Sequence, residues 1–375
     1  MPHKIIYNAY RNLINIPGWR TPRKLVVFES DDWGSIRMPS LKVFEYLTKK
    51  GLDLSSGDAL RYNLNDSLAT VDDLSLLFEI LSSFHDKNDN SCVFTTGCLV
   101  ANPDFVKIKE SSFQEYHFEP FTETLKNIPG CEGSFRLWQE GIKRKLFVPQ
   151  FHGREHLNVS SWMRALSNRN RETLLAFDSG IWGFSCKSNP EKNGYQAAFS
   201  YNYEEELDFL KEVLISGLNL FEELIGYRAT YFVPPNAVFP KPLESVAFEN
   251  GINLISSAYF NKTPLGNQKY KTSFNYLGKR NFLGQAFITR NCSFEPSQYK
   301  SECIENTMRQ IETAFRWGKP ALIGTHRVNY TGLLNIRNRD HGLFMLKELL
   351  SRIRKKWPEV EFLTTNELSS NINKL

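Results

Sequence analysis

The feature that most constrains the fold is the alternation of short apolar runs with helix-like segments. Runs typical of strands occupy 25–34, 91–96, 146–151, 229–233, 252–256, 284–289 and 320–325. Helical patterns lie at 40–50, 71–85, 116–126, 133–145 and 203–225. Such alternation predicts a parallel sheet covered by helices, and about seven strands in one chain favour a barrel over an open sheet. We therefore expect an α/β fold, a distorted (β/α) barrel of about seven strands.

The domain organisation follows from length and from the absence of a linker in the sequence. A chain of 375 residues with 41% hydrophobic side chains can bury a large core. No internal repeat or low-complexity segment divides it, so we expect one domain over residues 1–375. The irregular stretches 100–115, 177–202 and 258–283 are interpreted as long loop insertions that shape a cleft.

Composition excludes several classes of function. The net charge of +5 is spread along the chain, which argues against nucleic-acid binding; the basic cluster 352–356 suits the last turn of a helix. No run of about 18 apolar residues predicts a transmembrane helix, and the first residues lack the pattern of a secretory signal. The six scattered cysteines are typical of a reduced protein. These patterns predict a cytoplasmic protein; they do not predict its oligomeric state.

The first strand-like run ends in adjacent carboxylates. Leu25 to Phe28 are apolar, and Glu29-Ser30-Asp31-Asp32 follow at once. Two neighbouring aspartates at the end of a buried strand require a metal or an arginine to compensate their charge. The alternative is a helix N-terminus, which Ser and Asp also suit.

A second polar concentration, from His152 to His156, follows the run 146–151. Histidines four residues apart can hold one divalent ion if they share a helical face. The string also matches H-x-x-E-H, in which Glu155 would be the base of an inverted zinc peptidase. That interpretation needs a continuous helix, which Pro149 and Gly153 both disfavour. Two structural histidines are the remaining alternative.

Three further segments place polar groups beside strands. Arg228 begins an aromatic and proline-rich run that includes Tyr231, and a guanidinium is a natural partner for a carboxylate pair; a plain surface arginine is the alternative. The run at 252–256 ends in serines. His326 ends the run 320–325 and is a candidate for proton transfer, although a buried structural histidine is the commoner case.

Taken together, these motifs resemble the polysaccharide deacetylases, carbohydrate esterase family 4. That family has an Asp-Asp motif, then H-x-x-x-H, R-x-P-Y, an Asp-Ser motif and a late strand ending in His. The counterparts here follow the same order over about residues 24–330, with further helix and strand elements at 335–375. They are Asp31-Asp32, His152 and His156, Arg228 to Tyr231, Ser256-Ser257 and His326. The resemblance also implies the distorted barrel.

The resemblance implies a role for each matching residue. Asp32, His152 and His156 would bind a divalent metal ion, zinc being the usual one in the family. Asp31 would be the general base. Arg228 would hold Asp31 ionised, and a backbone N–H near Tyr231 would stabilise the oxyanion. His326 would protonate the leaving group. The reaction would release acetate from an N- or O-acetylated carbohydrate.

The sequence departs from the family pattern at two places. Thr230 replaces the usual proline, and Ser256-Ser257 lacks the aspartate that tunes the acid histidine, so Asp178 or Asp340 is a candidate substitute. Two alternatives therefore stay open beside the peptidase: an amidohydrolase of the same fold acting on a small amide, and a catalytically silent carbohydrate-binding relative. Aromatic residues near predicted strand ends are candidates for stacking on sugar rings: Trp182, Phe184, Tyr259, Phe260 and Tyr330.

Overall fold

One parallel sheet dominates the computed structural model, which describes residues 9–188, 194–299 and 302–372. The strands are β1 Leu25–Trp33, β2 Phe94–Leu99, β3 Ala101–Pro103, β4 Phe118–Pro120, β5 Phe147–Gly153, β6 Tyr231–Phe232, β7 Leu254–Ser256, β8 Phe260–Pro264, β9 Tyr270–Phe274, β10 Ala286–Ile288, β11 Cys292–Ser293, β12 Ala321–His326 and β13 Glu361–Phe362. Eight of them follow the order β10-β7-β6-β5-β2-β1-β12-β11, and β13 also pairs with β1. The curled sheet forms a half-barrel, so the predicted α/β barrel-like fold is confirmed.

Helices surround this sheet, and those at 134–143, 206–225 and 303–316 pack against its outer face. They span Leu41–Lys49, Ala59–Asn65, Val71–Ser83, Phe105–Glu110, Phe121–Lys126, Ser134–Lys143, Val159–Ser167, Arg171–Asp178, Glu206–Ile225, Leu243–Glu249, Pro296–Tyr299, Cys303–Arg316, Ile336–Lys356 and Thr365–Ile372. Short 3-10 turns lie at Pro235–Ala237 and Arg327–Asn329. Among the described residues, no helix is both long enough and apolar enough to cross a bilayer.

The loop predictions needed correction. The stretch 100–115 holds β3 and the helix Phe105–Glu110, and the predicted helix 116–126 starts as β4, which pairs with β3. A three-residue strand is too short to show a period. The stretch 258–283 holds the antiparallel hairpin of β8 and β9. The stretch 177–202 is largely irregular, as predicted, with 189–193 outside the described residues.

Alternation along β1 separates the two faces of the sheet. Val26 and Phe28 join the apolar cluster under the outer helices, whereas Leu25 and Val27 join a separate cluster inside the barrel. Since successive side chains point to opposite faces, Glu29 continues the inner row. The helix Thr365–Ile372 contributes Leu368 and Ile372 to the same inner cluster. The barrel interior is therefore apolar at the amino end of β1 and becomes polar toward its carboxyl end.

The helix Glu206–Ile225 fixes the position of β5. Its buried face includes Leu210, Leu214 and Leu218 at helical spacing. Gly217 lies on the same face, where a Cβ atom would stand 2.9 Å from the Phe151 ring. A side chain at this position would push the helix off the strand, so the glycine keeps helix and strand in direct contact.

Candidate active site

The carboxyl end of β1 is bent at Asp32. The pairing of β1 with β2 shifts register between Ser30 and Trp33, and Asp32 has a φ of 75°. This left-handed conformation is unfavourable for a residue with a side chain and is retained only where the surroundings enforce it. A bulge re-aims side chains that would otherwise alternate. As a result, Asp31 and Asp32 both line one cavity.

Two histidines reach the same cavity from β5 and the turn after it. His152 is the penultimate residue of β5, and His156 follows in the turn. The centroids of the two rings are 5.2 Å apart. The segment is not helical, so the inverted-peptidase interpretation is wrong. Glu155 is also absent from the cavity lining; its carboxylate accepts hydrogen bonds from the Tyr116 hydroxyl at 3.0 Å and from Arg154 Nε at 2.7 Å.

Asp32, His152 and His156 have a spacing that fits one metal ion. Asp32 Oδ1 is 3.5 Å from His152 Nε2 and 3.6 Å from His156 Nε2. Ligands of a tetrahedral zinc ion at about 2.1 Å stand about 3.4 Å from one another. All three side chains are no more than 5% exposed, so water does not compete freely for them.

The surroundings of the two imidazoles also suit a metal. His152 Nδ1 lies 2.6 Å from the Val233 carbonyl oxygen and donates to it, since a carbonyl only accepts. Its Nε2 is buried and, within the described ranges, has no hydrogen-bond partner. Burial, opposed by Asp32, lowers the pKa of His156 to about 3. The His156 ring is therefore available as a neutral ligand, and the orphaned, buried Nε2 of His152 is a specific reason to place an ion here.

Arg290 holds Asp31. It lies two residues beyond β10, and its Nη1 and Nη2 donate to the two Asp31 oxygens, Nη2 to Oδ1 at 2.8 Å. Its Nε donates to Glu29 Oε2 at 2.6 Å. Burial alone would raise the pKa of Asp31, but the charge and hydrogen bonds of Arg290 outweigh it and hold the pKa below its ordinary value. Asp31 is thus an oriented, ionised carboxylate.

The prediction that Arg228 holds Asp31 is wrong. Arg228 precedes β6 and bonds to the Glu222 carboxylate and, at 2.9 Å, to the Asn250 carbonyl oxygen. It lies at the amino edge of a parallel sheet whose carboxyl edge carries Asp31. The sequence contains a signal for Arg290 that was missed: this arginine directly follows the carboxyl end of the apolar run 284–289.

Tyr231 does not face the cavity either. The residue is fully buried in the inner apolar cluster, and its backbone N–H donates to Gln150 Oε1 at 3.0 Å. That N–H is already satisfied, so Tyr231 itself does not offer a free N–H for the predicted oxyanion contact. The Tyr231 hydroxyl donates instead to Glu29 Oε2 at 3.1 Å, which places Tyr231 behind the carboxylate that supports Arg290.

His326 lies beside Asp31, because β12 pairs with β1 so that the two residues are in register. Its Nε2 is 4.0 Å from Asp31 Oδ2, and its Nδ1 is 2.6 Å from Glu295 Oε1. Burial disfavours the charged imidazole, but Glu295 outweighs that and raises the pKa of His326 to about 9. Neither proposed substitute supplies the missing carboxylate: Asp178 pairs with a surface lysine and Asp340 with Arg339.

The cavity around these groups has a volume of about 950 Å³, at the upper end of small-molecule sites. Ser256 of the fourth motif lines it. Of the aromatic residues expected there, only Phe184 does so among the described residues, whereas Tyr62 and Tyr270 were missed. Trp182 lies behind the lining and stacks on His156, with the centroids 6.3 Å apart.

Comparison with known proteins returns structural likeness only. No protein-family model and no curated protein matches the sequence. Among solved structures, a putative polysaccharide deacetylase from Mycobacterium smegmatis is 12% identical, with 96% of this chain and 93% of that chain covered and a TM-score of 0.44. A probable polysaccharide deacetylase from Pseudomonas aeruginosa PAO1 is 10% identical, with 93% and 91% covered and a TM-score of 0.45.

A third similar structure is the Puue allantoinase, 12% identical, with 94% of this chain and 93% of that chain covered and a TM-score of 0.45. Structural neighbours thus include polysaccharide deacetylases, the family that the sequence motifs resemble. At these identities and TM-scores the chemistry has to be argued from the residues of the site.

Proposed function

We propose that the protein is a metal-dependent hydrolase that removes an acetyl group from an N- or O-acetylated sugar of a glycan. One observation supports this above the others: a candidate metal triad, an ionised carboxylate and a protonated imidazole face the same cavity. Asp32, His152 and His156 would hold the ion, with zinc the first candidate for a site of two imidazoles and one carboxylate. Such an ion supplies a Lewis acid that polarises the acetyl carbonyl and acidifies water.

Asp31 is placed to act as the general base. Arg290 occupies one side of its carboxylate and keeps it ionised, while the residue still lines the cavity. It would take one proton from the attacking water as the oxygen adds to the acetyl carbon. The fixed guanidinium also prevents the carboxylate from rotating, so the accepting lone pair keeps its direction.

His326 is placed to act as the general acid. Its Nδ1–H donates to Glu295, so the second proton of the imidazolium is on Nε2, on the side of Asp31. When the C–N or C–O bond of the tetrahedral intermediate breaks, this proton would pass to the leaving nitrogen or oxygen. One water is consumed, and acetate and a free amine or alcohol result.

The site weakens the alternative of a silent relative. That alternative rested on the missing aspartate of the fourth motif, and Glu295 supplies a carboxylate to His326 in its place. The cavity volume of about 950 Å³ also exceeds what a small cyclic amide requires, which favours a sugar unit within a larger glycan.

The test is acetate release from a panel of N- and O-acetylated glycans, combined with metal analysis of the purified protein. Asp31→Asn should retain the metal and lose most activity, whereas Asp32→Asn should lose the metal as well. Asp178→Asn, the same change at an exposed aspartate, is the matched control and should behave as wild type. Metal-loaded wild-type protein that releases no acetate from any member of the panel would refute the proposal.

A further inference from the structure

Arg37 is a buried arginine that forms two long ion pairs but, among the described residues, no hydrogen bond. Its side chain lines the cavity and is 6% exposed. Over residues 9–188, 194–299 and 302–372, no acceptor forms a hydrogen bond with it, and its Nε is an orphaned buried donor. The nearest carboxylate oxygens are Asp32 Oδ2, 3.6 Å from Nη2, and Asp66 Oδ2, 3.5 Å from Nε. Burying a guanidinium without hydrogen bonds costs free energy, so the unused N–H donors of Arg37 need an explanation.

The two neighbouring carboxylates are committed elsewhere. Asp66 accepts two hydrogen bonds from Arg327, at 3.0 Å and 2.9 Å. Asp32 belongs to the candidate metal triad. A metal ion bound there would neutralise the negative charge of Asp32, which otherwise balances Arg37. The arginine is held in place by aromatic rings, with its guanidinium carbon 5.3 Å from the centroid of Tyr62 and 5.3 Å from that of Trp182. Ring contacts fix the guanidinium plane and leave its N–H groups for a ligand in the cavity.

A second observation concerns the rim of the cavity. Between Glu249 and Glu295 the chain has no acidic residue but six basic ones, and the hairpin of β8 and β9 lies within this segment. Tyr270 of the hairpin lines the cavity. Three hairpin lysines are exposed, and in the described part of the chain none forms an ion pair; they are Lys262, Lys269 and Lys271.

The hairpin also presents aromatic rings. Phe260 and Phe274 face each other across the strands with centroids 5.4 Å apart and remain 60% and 41% exposed. By the register of β8 and β9, they lie on the same face as Tyr270. One face of the hairpin therefore carries Tyr270 at the cavity, the Phe260 and Phe274 rings and, by the same register, Lys262. Aromatic rings beside a positive charge suit sugar rings that bear anionic groups.

We propose that the substrate is an acidic glycan, in which a carboxylate or phosphate near the acetylated position binds Arg37 and further anionic units lie along the hairpin. The inference rests on the proposed deacetylation and names its substrate class. A guanidinium fork matches both anions in geometry and binds them with two parallel hydrogen bonds. The two anions share the chemistry, and the test separates them.

The test is calorimetric binding of three matched monosaccharides to the metal-loaded protein: N-acetylglucosamine, its 1-phosphate and the corresponding N-acetylated uronic acid. At least one acidic probe should bind about 10- to 100-fold more tightly than the neutral one, and the acidic probe that does so identifies the anion. Arg37→Gln should abolish the difference, and Arg37→Lys should retain part of it. Arg136→Gln, an exposed arginine that does not line the cavity, is the matched control and should keep the full preference.

Binding of an acidic polymer tests the hairpin. Lys262→Gln should weaken binding of the polymer and reduce its dependence on salt, while the monosaccharide preference set by Arg37 should persist. Unchanged binding and salt dependence in this variant would remove the hairpin from the proposal.

Two outcomes would overturn the role of Arg37. One is equal affinity for the neutral and acidic probes in wild-type protein. The other is an Arg37→Gln variant, folded by circular dichroism, that loses metal and binds both kinds of probe equally weakly, because Arg37 would then serve only to position Asp32.

Acetate release separates this inference from the proposed function. Equal rates on neutral and acidic glycans would refute the acidic substrate alone, whereas a clear binding preference without any acetate release would refute deacetylation and leave the anion site standing.

Discussion

Replacing Glu295 by Gln should shift the titration of His326 without disturbing the metal triad. Glu295 Oε1 lies 2.6 Å from His326 Nδ1, and the amide of glutamine preserves the shape and an oxygen acceptor but removes the charge. The raised pKa of His326, about 9, keeps the imidazole protonated below that pH and lets it lose the proton as pH rises through that value. Without the carboxylate, burial still favours the neutral ring, and only the smaller contributions of Asp32 and Asp31 oppose it.

The size of the effect follows from the geometry. Two unit charges about 4 Å apart at an effective dielectric constant of about 20 interact by about 4 kcal/mol, equivalent to about 3 pKa units. The pKa of His326 should therefore fall from about 9 to about 6. At pH 8 the protonated fraction would drop about 100-fold, whereas at pH 5.5 most of the imidazole would still carry its proton.

Two measurements check this. NMR titration of labelled imidazole follows His326 directly, since the chain has only seven histidines. The pH profile of acetate release should lose its alkaline half in Glu295→Gln and keep its acidic half. Asp58→Asn is the control. Asp58 accepts a hydrogen bond from Arg61, which also bonds to Glu295, but Asp58 itself does not bond to the imidazole. A His326 that titrates at the same pH in wild type and Glu295→Gln would refute the proposed electrostatic coupling.

Three further outcomes are expected. Asp32→Ala should weaken metal binding by more than the 10- to 100-fold typical of losing an outer-shell partner, measured by metal content after dialysis against a weak chelator; full occupancy would contradict the triad. Gly97→Ala would place a methyl group 2.9 Å from Asp31 Oδ1 and 3.3 Å from His152 Cβ and should lower the rate about 10-fold or more; a normal rate would show that these side chains can move freely. Arg290→Gln should lower the rate about 100-fold or more, while Arg228→Gln, remote from the cavity, should stay within about twofold in the same assay; equal losses would contradict the assignment.

The elements that could be predicted from sequence are those with local signals. The apolar run of β1 ending in Asp31-Asp32, and the run of β5 ending near His152, mark the carboxyl edge of a parallel sheet, where ligand sites lie in such folds. Each signal needs only a few neighbouring residues. That is why the runs were identified as strands and why the histidine pair could be picked out as candidate ligands, even though a strand and a turn, rather than a helix, hold the pair.

The partners of these residues could not be identified in the same way. Glu295 is 31 residues from His326, and Arg290 is 259 residues from Asp31. Which carboxylate or guanidinium completes a contact depends on how strands are ordered and in what register, information that no local pattern contains. The resemblance to a family motif indicated Arg228, but a residue before β6 is at the wrong edge of the sheet.

The inner face of β1 explains why the arginine can come from another strand. Leu25 and Val27 on this face fill the apolar interior, and Glu29 follows on the same face as the first polar group, with Asp31 beyond it. Glu29 accepts hydrogen bonds from Arg290 Nε at 2.6 Å, from the Tyr231 hydroxyl at 3.1 Å and from a threonine of the C-terminal helix. The guanidinium thus bridges two successive inward carboxylates of one strand. Any neighbouring strand that ends within reach of both carboxylates can supply the guanidinium. The position of the arginine is therefore fixed by Glu29 as much as by Asp31. Glu29→Gln should loosen Arg290 while leaving the metal triad intact.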